Sequence, residues 1–249
     1  MTKVEIFLIK SLSDKKERSL SGLFVAEGEK LVGEIAASGM TVDKIFFTAE
    51  KSPLNTGKIP TEKISAKEME RISNLKTPSG VLALVKIPEY EFDAASFSKG
   101  HILALDNIQD PGNMGTIIRT ADWFGIEDIV CSETSADCFN PKVVQATMGA
   151  ITRVRVHYVN LPETLRNIAA GGAPVYGTFL EGENIYDTGL SENGVIVLGN
   201  EGQGISQEVA RLVTKKLFIP PYPAGKTSSE SLNVSAACAI ACSVLRMKR

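Results

Sequence analysis

Histidine and cysteine are scarce in this chain, two and four residues in 249, and that scarcity excludes several kinds of chemistry. His101 and His157 lie far from each other and from the cysteines, so no spacing resembles a zinc ligand set. The cysteines lack the regular spacing of a disulfide scaffold and fit a reduced, cytoplasmic protein. Cys238 and Cys242 fall one turn apart in an Ala-rich segment, where small buried residues are expected. No G-x-S-x-G elbow is present. No apolar run approaches the roughly 18–20 residues of a membrane span. The opening "MTKVEIFLIKSLSDKKERSL" lacks an apolar core followed by a small-residue cleavage site, so no signal peptide is expected. Excess charge of one sign is missing too. The formal net charge is −2, balanced on both sides of Gly100, so any contact with nucleic acid must be made by local patches.

What is present is an alternation of apolar strands and amphipathic helices, without internal repeats. The first ~90 residues read as a small α/β unit. A basic helical start leads to a strand at "GLFVAEG", a helix at "EKLVGEIAASG", a strand at "VDKIFFTA", a short helix from Ala66 and a strand at "GVLALVKI". The polar, aperiodic "PEYEFDAASFSKG" separates this unit from the rest, giving an expected substrate-binding domain over 1–88, a linker over 89–100 and a larger domain over 101–249. In that larger domain "HILALDN", "EDIVCS", "RVRVHYV", "APVYGTFL", "GVIVLGN" and "KLFIP" read as strands with helices between them, which predicts a parallel sheet. Asn140-Pro141 is read as a helix cap followed by Pro at the first helical position.

In such sheets ligands bind beyond the C-terminal ends of the strands. Three strand ends have the same character, with "ALDN" running into "IQDPGN", "VLGN" into "EGQG", and "FIP" into "PYPAGKTSSESLN". Each can offer backbone amides and short polar groups. In the helix after the first loop, Met114, Ile117, Ile118, Ala121 and Phe124 share one face, Asn113 is the expected N-cap, and Arg119 projects from the opposite side. "GNEGQG" is not a dinucleotide fingerprint, because its glycines follow G-x-x-G-x-G and Glu201 sits inside the turn. "AGKTSS" is not a phosphate-binding P-loop, because Pro220 stands where the first glycine is required. His157 reads as structural.

Taken together, "DNIQDPGNMGTIIRTADWFG", "VIVLGNEGQGIS" and "SLNVSAACAIACSVL" resemble, in order, the three motifs of the SpoU (TrmH-like) methyltransferases of the SPOUT superfamily, over about 150 residues from Leu103 onward. "LFVAEGEKLVGEI" resembles, less specifically, the small RNA-binding-like domain that precedes the catalytic domain in many members. The resemblance implies an α/β fold whose C-terminal parallel-sheet domain carries a trefoil knot, a homodimer with the site at the subunit interface, and methyl transfer from S-adenosylmethionine to a ribose 2'-hydroxyl. RNA is the implied partner, with rRNA favoured over tRNA, and no metal is implied. Carried over residue by residue, Arg119 is the catalytic group, acting on the hydroxyl proton or clamping phosphate. Asn113 positions it, and Glu201 orients it or structures the dimer interface. Ser231 and Asn233 line the site, and Leu198, Gly199, Asn200, Gly202, Ile219, Pro221, Ser231 and Leu232 enclose the cofactor.

The chain departs from the family between Pro220 and Ser231, where the loop is a few residues longer; this leaves the cofactor contacts of 221–230 open and makes Lys226 a candidate RNA contact. Lys10, Lys15, Lys16 and Arg18 form a second candidate RNA patch, equally readable as a solvated helix face. Two alternatives stay open on the sequence alone: a SPOUT-fold RNA-binding protein without activity, and a knotted enzyme acting on a base nitrogen.

Overall fold

The computed structural model describes residues 1–48, 57–94, 97, 100–223 and 230–247. Its chain forms two compact units, one from Met1–Glu89 with Asp137–Arg153, the other from Tyr90–Ala136 with Val154–Arg249.

The first unit contains α1 (Lys3–Ser11), α2 (Lys15–Ser21), β1 (Leu23–Glu27), α3 (Glu29–Ala37), β2 (Val42–Phe47), β3 (Thr61–Lys63), α4 (Ala66–Ile72) and β4 (Val81–Lys86). Its sheet is mixed, in the order β1-β4-β2-β3, with only the β2–β3 pair parallel. Period-two alternation gives β1, β2 and β4 two apolar faces. Phe24, Ala26, Val81, Ala83 and Val85 pack with Leu31, Val32 and Ile35 of α3. Val25, Leu82 and Leu84 face the other way, toward Ile6, Ile9, Met69 and Ile72 of α1 and α4. Capping boxes at Thr2/Glu5 and Ser65/Glu68 start those two helices.

In the second unit, β5 (His101–Asp106) is followed by α5 (Pro111–Trp123) and β6 (Asp128–Ser132). The chain then returns to the first unit for α6 (Pro141–Thr147) and a 3-10 turn, Ala150–Thr152. Asn140 caps α6 with Pro141 at its start, as its sequence predicts. Phe139 packs on Phe24, ring centroids 4.9 Å apart, and Val144 joins the α3 side of the core. The rest is β7 (Arg155–Val159), α7 (Leu161–Ala170), β8 (Val175–Phe179), β9 (Glu183–Asn184), β10 (Gly194–Gly199), α8 (Gln207–Ala210), β11 (Lys215–Phe218) and α9 (Val234–Arg246). These strands form one sheet in the order β7-β6-β5-β10-β8-β11-β9, parallel at every pairing. The predicted parallel α/β domain is therefore present.

Two features of this sheet position the functional loops. β5 and β10, adjacent in space although far apart in sequence, run in register from His101↔Gly194 to Asp106↔Gly199. Their loops therefore leave the same edge side by side. One face of the sheet is covered by α7, through Leu161, Leu165 and Ile168. Elsewhere α5 packs against α9, and α9 against β10, with Met114, Ile117, Ile118, Ala121, Cys238, Ala241 and Cys242 all buried. No helix among the described residues is long and apolar enough to cross a membrane.

Candidate active site

The β5–α5 loop is built from residues that tolerate turns. Asn107 adopts a left-handed φ of 59°, and its N–H donates to Ser132 Oγ at 2.8 Å. α5 begins at Pro111, three residues earlier than its apolar pattern suggests, and Asp110 rather than Asn113 is its N-cap. The Asp110 carboxylate accepts from Asn113 N–H at 2.8 Å. Asn113 therefore lies inside the first turn, with its side-chain amide free for other work.

That amide links three loops. Asn113 Nδ2 donates to Glu201 Oε1 at 3.0 Å, and Asn113 Oδ1 accepts from Asn233 Nδ2 at 2.9 Å. The Glu201 carboxylate also accepts from the backbone N–H groups of Asp110 at 3.2 Å and Gln109 at 3.4 Å. Partial burial pushes the Glu201 carboxyl up, but the bond from Asn113 and the backbone N–H donors outweigh it and hold the group below the ordinary carboxylate value. Asn233 is itself the N-cap of α9, its Oδ1 accepting from Ser235 N–H at 2.9 Å. One hydrogen-bonded chain, Glu201–Asn113–Asn233, therefore connects the ends of β5, β10 and the segment before α9.

The loop after β10 is equally constrained. Asn200 Oδ1 accepts from the N–H groups of Gly202 and Gln203, and Asn200 Nδ2 donates to Asn107 O at 2.8 Å. The turn folds back so closely that a Cβ on Gly199 would lie 2.3 Å from Gly204 C and Ile205 N, so only glycine fits there. Buried Asp106 accepts from Ser206 N–H at 2.7 Å, anchoring the far side.

Arg119 stands apart from this network. It is exposed on α5, on the side opposite the buried residues, and makes no hydrogen bond or ion pair among the described residues. Six residues along a helix place it about 9 Å from Asn113 along the axis. Neither Asn113 nor Glu201 bonds to it. Ser231 and Leu232 are exposed and Ser231 joins no hydrogen bond among the described residues, while Pro221 is exposed and Ile219 half-buried. Leu198 is fully buried at the end of β10. Lys226 and most of its loop lie outside the described residues.

The basic patch divides. Lys10, Lys15 and Lys16 are exposed. Arg18 is only 2% exposed, which corrects its expected role from RNA contact to buried structural group. Its Nη1 donates to Leu12 O and Ser13 O at 2.8 and 3.0 Å, closing the end of α1, and its Nε donates to Asp137 Oδ2 at 2.9 Å. Its Nη2 also pairs with Asp137. A guanidinium so enclosed cannot reach a phosphate. His157 is likewise buried, 2.9 Å from Asp128 Oδ1 through Nε2, in keeping with its structural reading. Among the described residues no group of three or more His, Cys, Asp or Glu could hold a metal ion.

Sequence reasoning missed Asp110 as the cap, although Asp before Pro carries the same signal that identified Asn140-Pro141. It also missed Asn107 and Asp106, whose roles depend on contacts about 90 residues or more away in sequence.

Residues 100–243 match the SpoU rRNA Methylase family, and residues 4–83 match the MRM3-like substrate binding domain. The chain is similar to the 23S rRNA (guanosine(2553)-2'-O)-methyltransferase RlmP of Bacillus subtilis, 34% identical over 235 residues that cover 93% of this chain and 91% of that protein. A solved TrmH-family structure from Porphyromonas gingivalis superposes with a TM-score of 0.86 at 39% identity, covering 99% of this chain and 98% of that one. The AdoMet-bound rRNA methyltransferase of Sinorhizobium meliloti superposes with a TM-score of 0.85 at 27% identity, covering 99% and 95%. With two of its motifs on the ends of the adjacent parallel strands β5 and β10 and the third at the start of α9, this chain belongs to the SpoU rRNA methylase family.

Proposed function

We propose that this protein methylates a ribose 2'-hydroxyl of ribosomal RNA, using S-adenosylmethionine. The observation that carries the proposal is the convergence of Asn113, Glu201 and Asn233 at one sheet edge, beside a helix that presents Arg119 to solvent. The curated relatives named for 23S rRNA support rRNA over tRNA.

The strand-end residues suit an adenosyl group. Gly199 lets the 200–205 turn fold tightly back on the strand end, and half-buried Ile219 and exposed Leu232 offer apolar surface for a base. Leu198, Asn200, Gly202, Pro221 and Ser231 complete the proposed enclosure. When bound, S-adenosylmethionine supplies a methyl group made electrophilic by its sulfonium. The remaining tasks are the protein's: to fix the ribose and stabilise the oxygen as its proton passes to solvent or to the adjacent phosphate. Arg119, a permanent cation, holds the adjacent phosphate and offsets charge developing on the 2'-oxygen. Asn113 orients the RNA backbone, with its own orientation fixed by Glu201 and Asn233.

Because Arg119 lies away from that network, the reading includes a homodimer whose active site is shared between two copies. Cytoplasmic location, a metal-free reaction, the division at 88 and 100 and the trefoil knot belong to the same reading; the loop implicated in the knot falls partly at 224–229, outside the described residues.

The test is methyl transfer from labelled S-adenosylmethionine to unmodified rRNA and tRNA, followed by nuclease digestion and nucleoside mass spectrometry, with Arg119→Ala in parallel. A 2'-O-methylated nucleoside from rRNA, lost in the variant, supports the proposal. No product on either RNA together with no cofactor binding by calorimetry overturns it in favour of a non-catalytic RNA-binding protein, and a methyl group on a base nitrogen in favour of the other knotted class.

A further inference from the structure

The first unit holds a cavity of about 300 Å³, at the small end of the roughly 300–1,000 Å³ range of ligand sites. Its walls come from β1, the segment following α4, and α6, with Leu75 and Pro141 on its apolar side and Lys142 and Gln145 among its polar groups. Glu27, at the end of β1, also lines it and is only 4% exposed. A buried carboxylate is costly unless it is paired or well hydrogen-bonded. Among the described residues no cation pairs with Glu27. Its Oε2 accepts from Ser73 Oγ at 2.6 Å and its Oε1 from Asn74 N–H at 2.7 Å.

A carboxylate offers about four lone-pair sites, so these two bonds leave one on each oxygen. The cavity therefore presents two adjacent acceptors over apolar surface, with an exposed ammonium, Lys142, on its rim. Guanine carries the complementary pattern, because its N1–H and N2–H₂ donors lie side by side on one edge. Unpaired RNA bases are commonly read on that edge. Adenine offers only one donor group there, beside an acceptor nitrogen that the carboxylate would repel, and uracil offers a single N–H flanked by carbonyls.

Resting on the reading of this protein as one that binds RNA, we propose that the cavity is a receptor for one unpaired guanine of the substrate, held by Glu27, with Gln145 and Lys142 serving the base O6 and the neighbouring phosphate. It makes the first unit a sequence-reading module rather than a general electrostatic clamp.

The test is a titration of the full chain with guanosine monophosphate and, separately, adenosine monophosphate, following backbone amide resonances by NMR. Guanosine monophosphate is expected to shift the Asn74, Leu75 and Gln145 amides, with affinity at least tenfold tighter than adenosine monophosphate at the same signals. Glu27→Gln should remove that preference while keeping the fold, because a glutamine can accept from Asn74 N–H and donate to Ser73 Oγ, yet its remaining N–H opposes the guanine donors. Ala146→Leu, which fills the cavity from α6, should abolish the shifts. Equal response to both nucleotides, shifts unchanged in Glu27→Gln, or no shift at these amides overturns the proposal. S-adenosylmethionine, titrated separately and read at Asn200 and Gly202, keeps the two readings apart. Failure there with guanine binding intact counts against methyl transfer alone, and the reverse counts against the cavity alone.

Discussion

If Glu201 acts by fixing Asn113, then removing both side chains should cost little more activity than removing Asn113 alone. Glu201→Ala deletes an acceptor serving Asn113 Nδ2 at 3.0 Å and two loop N–H groups at 3.2 and 3.4 Å. All three bonds are solvent-exposed, so water can replace them, and the stability loss should be about 1 kcal/mol or less. The catalytic loss is larger, because the Asn113 amide can then rotate away from the substrate. A positioning effect of about 10- to 100-fold in the methyl-transfer rate is expected, or about 1.4–2.7 kcal/mol. The assay is single-turnover transfer at saturating S-adenosylmethionine for wild type, Glu201→Ala, Asn113→Ala and the double variant, with thermal unfolding as a control. A coupling energy close to the full Glu201 effect is expected. Additive losses, within about 0.5 kcal/mol, would refute the reasoning and assign Glu201 to a different contact. The pH dependence carries a second sign. Since the Glu201 carboxyl is held below its ordinary value of 4.5, its contribution is complete above that pH and is lost only as pH falls through the lower native value.

Arg18→Ala removes a guanidinium bonded to Leu12 O, Ser13 O and Asp137; urea unfolding should show a loss of about 3 kcal/mol, at the lower end for a broken buried pair because Asp137 retains 14% exposure. Gly199→Ala forces a methyl to within 2.3 Å of two backbone atoms of the 200–205 turn and should cost about 1–3 kcal/mol or more in thermal unfolding, together with weakened cofactor binding by calorimetry. The hydrogen bond from Lys44 is the main cause holding Glu5 at about 2 rather than 4.5, so that interaction contributes fully above pH 4.5 and fades as pH falls toward 2; Lys44→Met should raise the midpoint of acid unfolding followed by circular dichroism.

Much of the fold was legible because its signals are local. The apolar runs of β5 and β10, the one-sided pattern of α5 and the Asn140-Pro141 start of α6 each depend on neighbours within one or two turns. What the sequence does not encode locally is partnership. β3 is three polar residues, Thr61–Lys63, and β9 only two, Glu183–Asn184, and both exist because a longer neighbour supplies hydrogen bonds. The start of α6 is written in two residues, but Phe139 meeting Phe24 across 115 positions is not. Arg18 shows the same gap from the other side. A basic, polar segment reads as solvated, and only the tertiary approach of Asp137 shows that one of its cations is buried.

The candidate site follows the same rule. Each loop alone resembles an ordinary strand-to-helix connection, and only the motif order marked the three as a set. Their convergence comes from the strand order, which seats β10 against β5, and from the packing of α9 on α5, which carries Asn233 to Asn113 across 120 positions. The network uses both polar atoms of the Asn113 amide; Glu201 also accepts from the Gln109 and Asp110 N–H groups of the β5–α5 loop, and Asn233 from Ser235 N–H at the start of α9. Such a network holds geometry, and leaves the Asn113 amide one N–H and one lone pair for substrate. Arg119 is the opposite, an exposed fixed charge with no hydrogen-bond or ion-pair partner among the described residues. A rigid frame and a separate exposed cation suit the proposed methyl transfer to a hydroxyl, in which alignment would supply much of the rate and charge stabilisation the rest.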